Sequence, residues 1–245
     1  MQVLTAILFA GAVLCAYGLP SGRIVGGEFA PEGKYPYQVS LRYKDRHVCG
    51  GSIIDKRYIL TAAHCLLFKR EEYISIVAGI TCLDEDGDEY DVESYLIHPD
   101  YHSDGQVHDI GIIKLDKDMN FTDKVKPIEP LSEEPTEEIY NVTLTGWGYV
   151  SAIGPVSNHL KEIHLITTTE KTCKDVFDKV NKYHICTLTE RGEGACHGDS
   201  GGPLVNNQGK QVGIVSYGDP CARGIPDVYT RVSPHYQFIL DKSKL

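Results

Sequence analysis

Short hydrophobic runs separated by turn residues recur along most of the chain. The runs at residues 38–42, 52–54, 58–60, 142–145 and 212–215 combine valine, isoleucine, leucine and threonine with single polar residues. Runs of this length, bounded by glycine, proline, aspartate and serine, are typical of β-strands. The pattern therefore predicts an all-β protein.

Only two segments carry helix signals. One is short, begins near Thr169 and contains Cys173. The other lies at the end of the chain, where Ser233 is the expected N-cap and Pro234 suits the first helical position. This second helix would place three apolar residues on one face: Tyr236, Ile239 and Leu240.

The first residues are almost wholly apolar through Ala16. The run is too short for a bilayer span, which needs roughly 20 apolar residues. Ala16 and Gly18 are small, which suits cleavage after Gly18, although no Lys or Arg lies near Met1. Residues 1–18 are predicted to be a secretory signal peptide, and the protein to be extracellular. A buried helix of a cytosolic protein is the alternative.

Composition narrows the class of partner. The 245 residues suffice for one large core or for a two-barrel unit. The formal net charge of −10 argues against nucleic acid and anionic membranes as partners. The chain has eight cysteines, a number typical of secreted proteins with disulfides. Cys15 would be removed together with the signal peptide.

A serine lies in a glycine-rich turn at residues 194–203, which read GACHGDSGGP. The glycines allow a tight turn that exposes the Ser200 hydroxyl. Gly198 lets its own N–H and that of Ser200 point at one oxygen, as an acyl-transfer nucleophile requires. A glycine-rich surface turn is the alternative interpretation.

Two further segments supply a histidine and an aspartate. Residues 61–65 read TAAHC and contain His64, and residues 109–115 read DIGIIKL and begin with Asp109. The order is therefore His, Asp, Ser. Together these motifs closely resemble the chymotrypsin-like (trypsin-fold) secreted serine proteases.

The resemblance implies a role for each residue. Ser200 would attack the carbonyl, His64 would transfer its proton to the leaving amine, and Asp109 would hold His64. The Gly198 and Ser200 amides would form the oxyanion hole. The implied fold is two six-stranded antiparallel β-barrels with the active site in the cleft between them and a C-terminal helix. The barrel boundary is expected near residues 127–138, which are rich in proline and acidic residues.

The resemblance also implies a disulfide framework. Three bridges, rather than more, resemble the pattern of arthropod chymotrypsins. Cys82 is left over and is expected to be a buried thiol, an intermolecular link being the alternative. The implied pairs are Cys49–Cys65, Cys173–Cys186 and Cys196–Cys221.

An activation site is implied at the Arg23–Ile24 bond. Residues 19–23 form an expected propeptide, LPSGR, whose composition favours an exposed segment that a trypsin-like protease could cleave. By resemblance, the new Ile24 amine would pair with Asp199 and order the oxyanion turn. Residues 24–245 would be the protease domain. The propeptide has no cysteine, so no disulfide is expected to tether it.

The same resemblance implies a specificity pocket, which would receive the substrate side chain before the cut bond. Its base would be Gly194, where trypsin-like enzymes carry an aspartate, so a simple preference for Lys or Arg is disfavoured. His197 would lie at the rim. The strand at Ser216, Tyr217 and Gly218 would pair with the substrate backbone.

Asp227 departs from many relatives, which have glycine on this pocket wall. A carboxylate hydrogen-bonded within the wall would leave a chymotryptic preference. A carboxylate reaching the pocket floor would give a broad-specificity, collagenase-like protease that also accepts Arg or Lys. A buried lone carboxylate must be hydrogen-bonded, paired or neutral.

The sequence thus predicts a secreted serine endopeptidase made as a zymogen, cutting after Phe, Tyr or Leu. Digestion is the expected setting, with venom and haemolymph as alternatives. Expected partners are protein or peptide substrates, a trypsin-like activator and protein protease inhibitors; a monomer is expected. The rival class is a catalytically inactive binding homologue, which a covalent serine-directed probe would separate from an enzyme.

Other features carry weaker signals. Asn120 and Asn141 begin glycosylation sequons. The acidic stretch at residues 84–89 does not fit an EF-hand and is expected to be a solvated loop, calcium binding being the alternative. No cofactor or metal is expected. The remaining histidines show no metal-ligand spacing and are expected at the surface or in the core: His47, His98, His102, His108, His159, His164, His184 and His235.

Overall fold

In a computed structural model of the chain, the described residues are 27–150, 154–188, 190–219, 221 and 223–243. The predicted signal peptide and propeptide, including Arg23, lie outside these residues, as does Ile24.

Two closed antiparallel barrels make up the fold. A short strand, β1 (Glu28–Phe29), precedes the first barrel. That barrel closes in the order β2-β3-β4-β7-β6-β5. Its strands are β2 (Gln38–Tyr43), β3 (Arg46–Asp55), β4 (Tyr58–Thr61), β5 (Ile74–Ala78), β6 (Asp88–Ile97) and β7 (Gly111–Leu115).

The second barrel follows a connection that contains β8 (Glu129–Pro130), which pairs in parallel with β13. The barrel closes because β9 pairs with both β10 and β12, and β1 adds to the outside of β10. Its strands are β9 (Asn141–Gly146), β10 (Lys161–Thr168), β11 (His184–Leu188), β12 (Pro203–Asn206), β13 (Lys210–Gly218) and β14 (Asp227–Arg231). The expectation of two six-stranded barrels is confirmed.

Each barrel has its own apolar core. Leu41, Ile59 and Ile113 are fully buried in the first barrel, and Leu144 and Leu204 in the second. Alternating residues of the predicted strands face inward, which is why these runs of branched side chains form barrels. Polar side chains tie the barrels together at the seam: Ser52 Oγ donates to Gln211 Oε1, and Thr145 Oγ1 donates to Gln38 Oε1, each at 2.7 Å.

The helices are few and short. They are α1 (Ala63–Leu66), α2 (Glu170–Lys174) and α3 (Tyr236–Ser243), with 3-10 turns at Glu71–Tyr73 and Ser233–His235. The two predicted helices are confirmed, and the Thr169 hydroxyl caps α2 by accepting from the Thr172 amide at 3.1 Å. The single turn α1 is too short to leave a periodic pattern in the sequence.

The expected N-cap role of Ser233 is wrong. Ser233 is the first residue of the 3-10 turn that precedes α3, and it makes no side-chain capping bond. Its hydroxyl donates instead to the Glu134 carboxylate. Pro234 does lie in the first turn, where its missing N–H costs nothing.

Three disulfides join Cys49 to Cys65, Cys173 to Cys186 and Cys196 to Cys221, as the resemblance implied. Cys82 is buried and is itself disulfide-bonded, so the expectation of a free thiol is wrong. Within the part of the chain that the structure describes, none of the helices is long and apolar enough to cross a membrane.

Candidate active site

His64 and Asp109 are joined by two hydrogen bonds. His64 lies on α1, directly after β4, and Asp109 lies in the turn that leads into β7, the neighbour of β4 in the barrel. His64 Nδ1 donates to Asp109 Oδ2 at 2.7 Å, and the His64 backbone N–H donates to Oδ1 at 2.9 Å. Since the carboxylate can only accept, Nδ1 carries the proton and Nε2 is left as the basic nitrogen of the neutral ring.

Asp109 is fully buried, and residues of the second barrel complete its surroundings. The Ser216 hydroxyl on β13 donates to Oδ2 at 2.6 Å, and the Thr230 hydroxyl on β14 donates to the Asp109 carbonyl at 2.8 Å. The carboxylate therefore accepts hydrogen bonds from both barrels. The side chain of His64 remains 25% exposed, so it faces the cleft.

Ser200 is held at the seam between the barrels. Its carbonyl accepts from the Gly50 amide of β3 at 2.8 Å, and the Gly50 carbonyl accepts from the Thr61 hydroxyl at 2.9 Å. Thr61 ends β4, three residues before His64. One short chain of hydrogen bonds thus positions the serine of the second barrel against the histidine segment of the first.

The turn before Ser200 has the backbone conformation that the glycine-rich motif predicts. Gly198 has a φ of +94°, which non-glycine residues rarely adopt. Its carbonyl accepts from His47 Nε2 at 3.0 Å, and Ser40 Oγ donates to His47 Nδ1 at 2.8 Å. Burial lowers the pKa of His47 to about 4, so the ring is neutral and this arrangement fixes its tautomer. The carbonyl of Gly198 is therefore held on one side of the turn by His47.

Asp199 is completely buried behind this turn. Its two oxygens accept from the Gly148 and Cys196 amides at 2.7 and 2.9 Å. Burial raises its pKa to about 6, against the lowering effect of these two bonds. A Cβ atom at Gly146 or Gly148 would lie within about 2.1 Å of an Asp199 oxygen, so both positions require glycine.

A cavity of about 240 Å³ opens beside Ser200. Residues of β13 and β14 line it, and one of them, Gly218, has no side chain. Gly194, the expected base, is not among the residues that line it. The lining residues are Ala195, Cys196, His197, Ser200, Val215, Ser216, Tyr217, Gly218 and Asp227.

Asp227 is the only ionisable carboxylic acid among those lining residues. It is 4% exposed, and its Oδ2 accepts from the Ala195 amide at 2.8 Å. Burial raises its pKa to about 7, outweighing the Ala195 bond, and the nearby Asp199 charge adds to the rise. One oxygen is therefore tied to the wall, and the acid is only partly ionised near neutral pH.

The other predicted features lie apart from this site. Asn120 and Asn141 are both exposed. In the acidic stretch, Glu85 accepts from the Thr81 amide, and Asp84 accepts from the Asn158 side chain.

Comparison with known proteins agrees with this geometry. The family model described as Trypsin matches residues 24–239. The chain belongs to the trypsin family. It is 47% identical to Chymotrypsin-2 of Vespa crabro over 216 residues, which is 88% of this chain and 96% of that protein. It is 34% identical to the clotting factor G beta subunit of Tachypleus tridentatus, covering 92% of this chain and 81% of that protein. The trypsin-family chain is a chymotrypsin-like serine endopeptidase.

Sequence reasoning missed three supporting residues of this trypsin-family site. His47 was expected to be an ordinary surface or core histidine, and Thr230 was not considered. Ser216 was expected only to contact substrate. Each acts through a partner more than 100 positions away, so local patterns carry no signal for them.

Proposed function

We propose that this trypsin-family protease is secreted as a zymogen and cleaves proteins after large hydrophobic residues. In the proposed mechanism, Ser200 attacks the scissile carbonyl and His64 Nε2 takes its proton and returns it to the leaving amine. Asp109 holds His64 and stabilises the imidazolium. The Gly198 and Ser200 amides bind the oxyanion. The observation that carries this is the pair of bonds from His64 to Asp109.

The preference for hydrophobic side chains rests on the state of Asp227. Its Oδ2 is occupied by the Ala195 amide, and its raised pKa reduces the negative charge available to a substrate cation. The other described lining residues carry no carboxylate, and Ala195, Val215 and the ring of Tyr217 offer apolar surface. A Phe, Tyr or Leu side chain would bury apolar surface there, and a Lys or Arg would find no fully charged partner.

A broad-specificity protease is the second candidate. One observation favours it. Asp227 Oδ1 lies close to Gly218 of β13, about 3.0 Å from the position that a Cβ atom would take there. An oxygen in that position is within reach of a long cationic side chain. This candidate requires Asp227 to be ionised during turnover.

The kcat/KM values of peptides that differ only in the residue before the cut separate the two candidates. The enzyme would be activated with trypsin, and the trypsin then removed. A preference for Phe and Leu over Arg by more than about a hundredfold, or roughly 2.7 kcal/mol, supports the hydrophobic preference. Arg cleavage within about tenfold of Phe supports the broad specificity instead. Ser200→Ala is the control for residual trypsin activity.

The zymogen and digestive parts of the proposal have separate support. The match to the trypsin family begins at Ile24, immediately after Arg23, where a trypsin-like activator would cut. A digestive role is supported by the similarity to an insect chymotrypsin. N-terminal sequencing of trypsin-treated protein, together with the gain in activity, tests the cleavage after Arg23.

A further inference from the structure

Three histidines from distant parts of the chain meet beside the active site. His98 follows β6, His108 precedes Asp109, and His235 ends the 3-10 turn before α3. Each offers one ring nitrogen, and these three atoms lie within 4.8 Å of one another. The rings also contact one another: His98 stacks on His108 at 4.7 Å, and both meet His235 edge-on.

The hydrogen bonds leave a metal-binding nitrogen at the centre of this cluster. His235 Nδ1 donates to the Arg231 carbonyl at 2.7 Å, so the Nε2 of the neutral ring holds a lone pair. A second ring nitrogen bonded to a carbonyl is the usual arrangement of metal-ligating histidines. His108 Nδ1 approaches His235 Nε2 at 2.9 Å, and the Asp100 amide orients His98 through its Nδ1 at 3.2 Å.

Binding a transition metal requires shifts of the three rings. Tetrahedral Zn²⁺ with Zn–N bonds of about 2.0–2.1 Å separates its ligand nitrogens by about 3.3 Å, whereas the three nitrogens here lie within 4.8 Å of one another. His108 and His235 would need to part by a few tenths of an ångström, and His108 would carry its proton on Nε2 instead of Nδ1. His98, whose Nδ1 accepts from the Asp100 amide, would bind through Nε2 only after its proton moves to Nδ1 and that bond is given up. His98 and His108 are half-buried, so the cluster is open to solvent on one side.

Burial of the cluster disfavours protonated rings, whereas the Asp100 charge favours them. Burial lowers the pKa of all three histidines, that of His235 to about 4. Asp100 supplies a nearby negative charge to His98 and His108, while Lys182 opposes it.

We propose that His98, His108 and His235 form a binding site for a divalent transition metal such as Zn²⁺, Cu²⁺ or Ni²⁺, and that metal binding there slows peptide hydrolysis. Imidazole is the ligand that suits these ions. A water molecule would complete a tetrahedral zinc site.

The link to activity runs through the backbone around Asp109. His108 is the preceding residue and has a positive φ of +56°. The Ile110 amide donates to the His108 carbonyl, and the His98 amide donates to the Ile110 carbonyl. Two of the three ligands therefore hold the turn that aims the Asp109 carboxylate at His64. A metal that moves His98 and His108 relative to His235 would shift this turn.

Metal binding is tested first without any dependence on catalysis. Zn²⁺ alone would be titrated by calorimetry into the otherwise intact His64→Ala protein, which lacks the competing active-site imidazole. We expect one saturable site in the micromolar range, weakened at least about tenfold by adding His98→Gln. His98 is chosen because it is half-buried, whereas replacement of the buried His235 risks the fold. His164→Gln, at a side chain that is 73% exposed, is the matched control and should bind as before.

Equal binding with and without His98→Gln, or no saturable binding, would overturn the proposed site. The inhibitory effect is tested on the activated enzyme with His64 intact. Zn²⁺ should lower kcat with little change in KM, EDTA should restore it, and His98→Gln should remove the effect. Saturated binding with unchanged kcat would overturn the link to Asp109. Because the calorimetry does not require turnover, an inactive enzyme would contradict the proposed function without affecting this measurement.

Discussion

The two carboxylate oxygens of Asp109 hold His64 at two separate points, its ring and its backbone amide. Replacing Asp109 with Asn leaves one oxygen, which can accept from the His64 amide, and turns an NH₂ group toward His64 Nδ1 and Ser216 Oγ. The His64 ring would then favour the tautomer with its proton on Nε2. We expect kcat to fall by about 10⁴, the magnitude established for this replacement in related proteases rather than one derived from this structure.

Burst and steady-state kinetics would measure that loss, with far-UV circular dichroism as a check on folding. Asp116→Asn, at an exposed aspartate just after β7, is the matched control and should keep full activity. A kcat within about tenfold of the parent enzyme would contradict the assignment.

The ratio of Arg to Phe cleavage should depend on pH through Asp227. Burial raises the pKa of this acid to about 7, so it is neutral below that pH and charged above it. The kcat/KM for Arg relative to Phe should therefore rise from about pH 6 to about pH 8. Asp227→Asn keeps the shape of the side chain and removes its charge, so the Arg-to-Phe ratio of this variant should stay low at every pH. A ratio independent of pH in the parent enzyme would show that the Asp227 carboxylate does not interact with the substrate side chain.

His47 should affect the rate more than substrate binding, because it holds the Gly198 carbonyl at the back of the oxyanion turn. A single hydrogen bond contributes about 0.5–1.5 kcal/mol, so His47→Ala should lower kcat by about twofold to tenfold. KM should change little. His47→Gln can still donate to the carbonyl and should recover part of the loss. Equal losses in both variants would indicate that the ring matters only for packing.

The Cys49–Cys65 bridge should stabilise both the fold and the catalytic histidine. It spans 16 residues, and a loop of that length corresponds to about 3 kcal/mol of unfolding free energy. Replacing both cysteines with alanine should lower stability by about that amount and also lower kcat, because Cys65 adjoins His64. The Cys173–Cys186 pair, which spans 13 residues, is the matched control. Its removal should cost similar stability with less effect on kcat, measured by denaturant unfolding and steady-state assay.

Activation should depend on the charge of Asp199. In the proposed switch, cleavage after Arg23 gives Ile24 an amine that pairs with this buried carboxylate. Removing one partner of a buried ion pair costs about 3–5 kcal/mol, so trypsin-treated Asp199→Asn protein should lose about 10²–10⁴-fold in kcat/KM. Arg23→Gln should remain uncleaved and inactive. Full activity in cleaved Asp199→Asn protein would exclude the switch.

Much of the fold could be predicted because its signals are local. The predicted hydrophobic runs lie in β2, β3, β4, β9 and β13, and the capping hydroxyl of Thr169 lies three residues from its partner. Ser233 shows the limit of this reasoning. Its sequence context is that of an N-cap, but a glutamate almost a hundred positions away binds the hydroxyl instead.

The site was predictable where the motif itself sets the backbone, as at Gly198 with its positive φ. It was not predictable where chemistry depends on barrel closure. His98, His108 and His235 have no meaningful spacing along the chain, yet their rings meet in space. Cys82 likewise has no local feature that distinguishes a buried thiol from a bonded cysteine.

The hydrogen bond from the Gly50 amide to the Ser200 carbonyl crosses from one barrel to the other. The serine belongs to the second barrel and the histidine to the first. This bond fixes the position of Ser200 relative to the barrel that carries His64. Any opening of the cleft that separates the barrels must break this hydrogen bond and free Ser200 from its fixed position. Residual activity during heating would then report barrel association directly, and it should disappear before either barrel loses its own secondary structure.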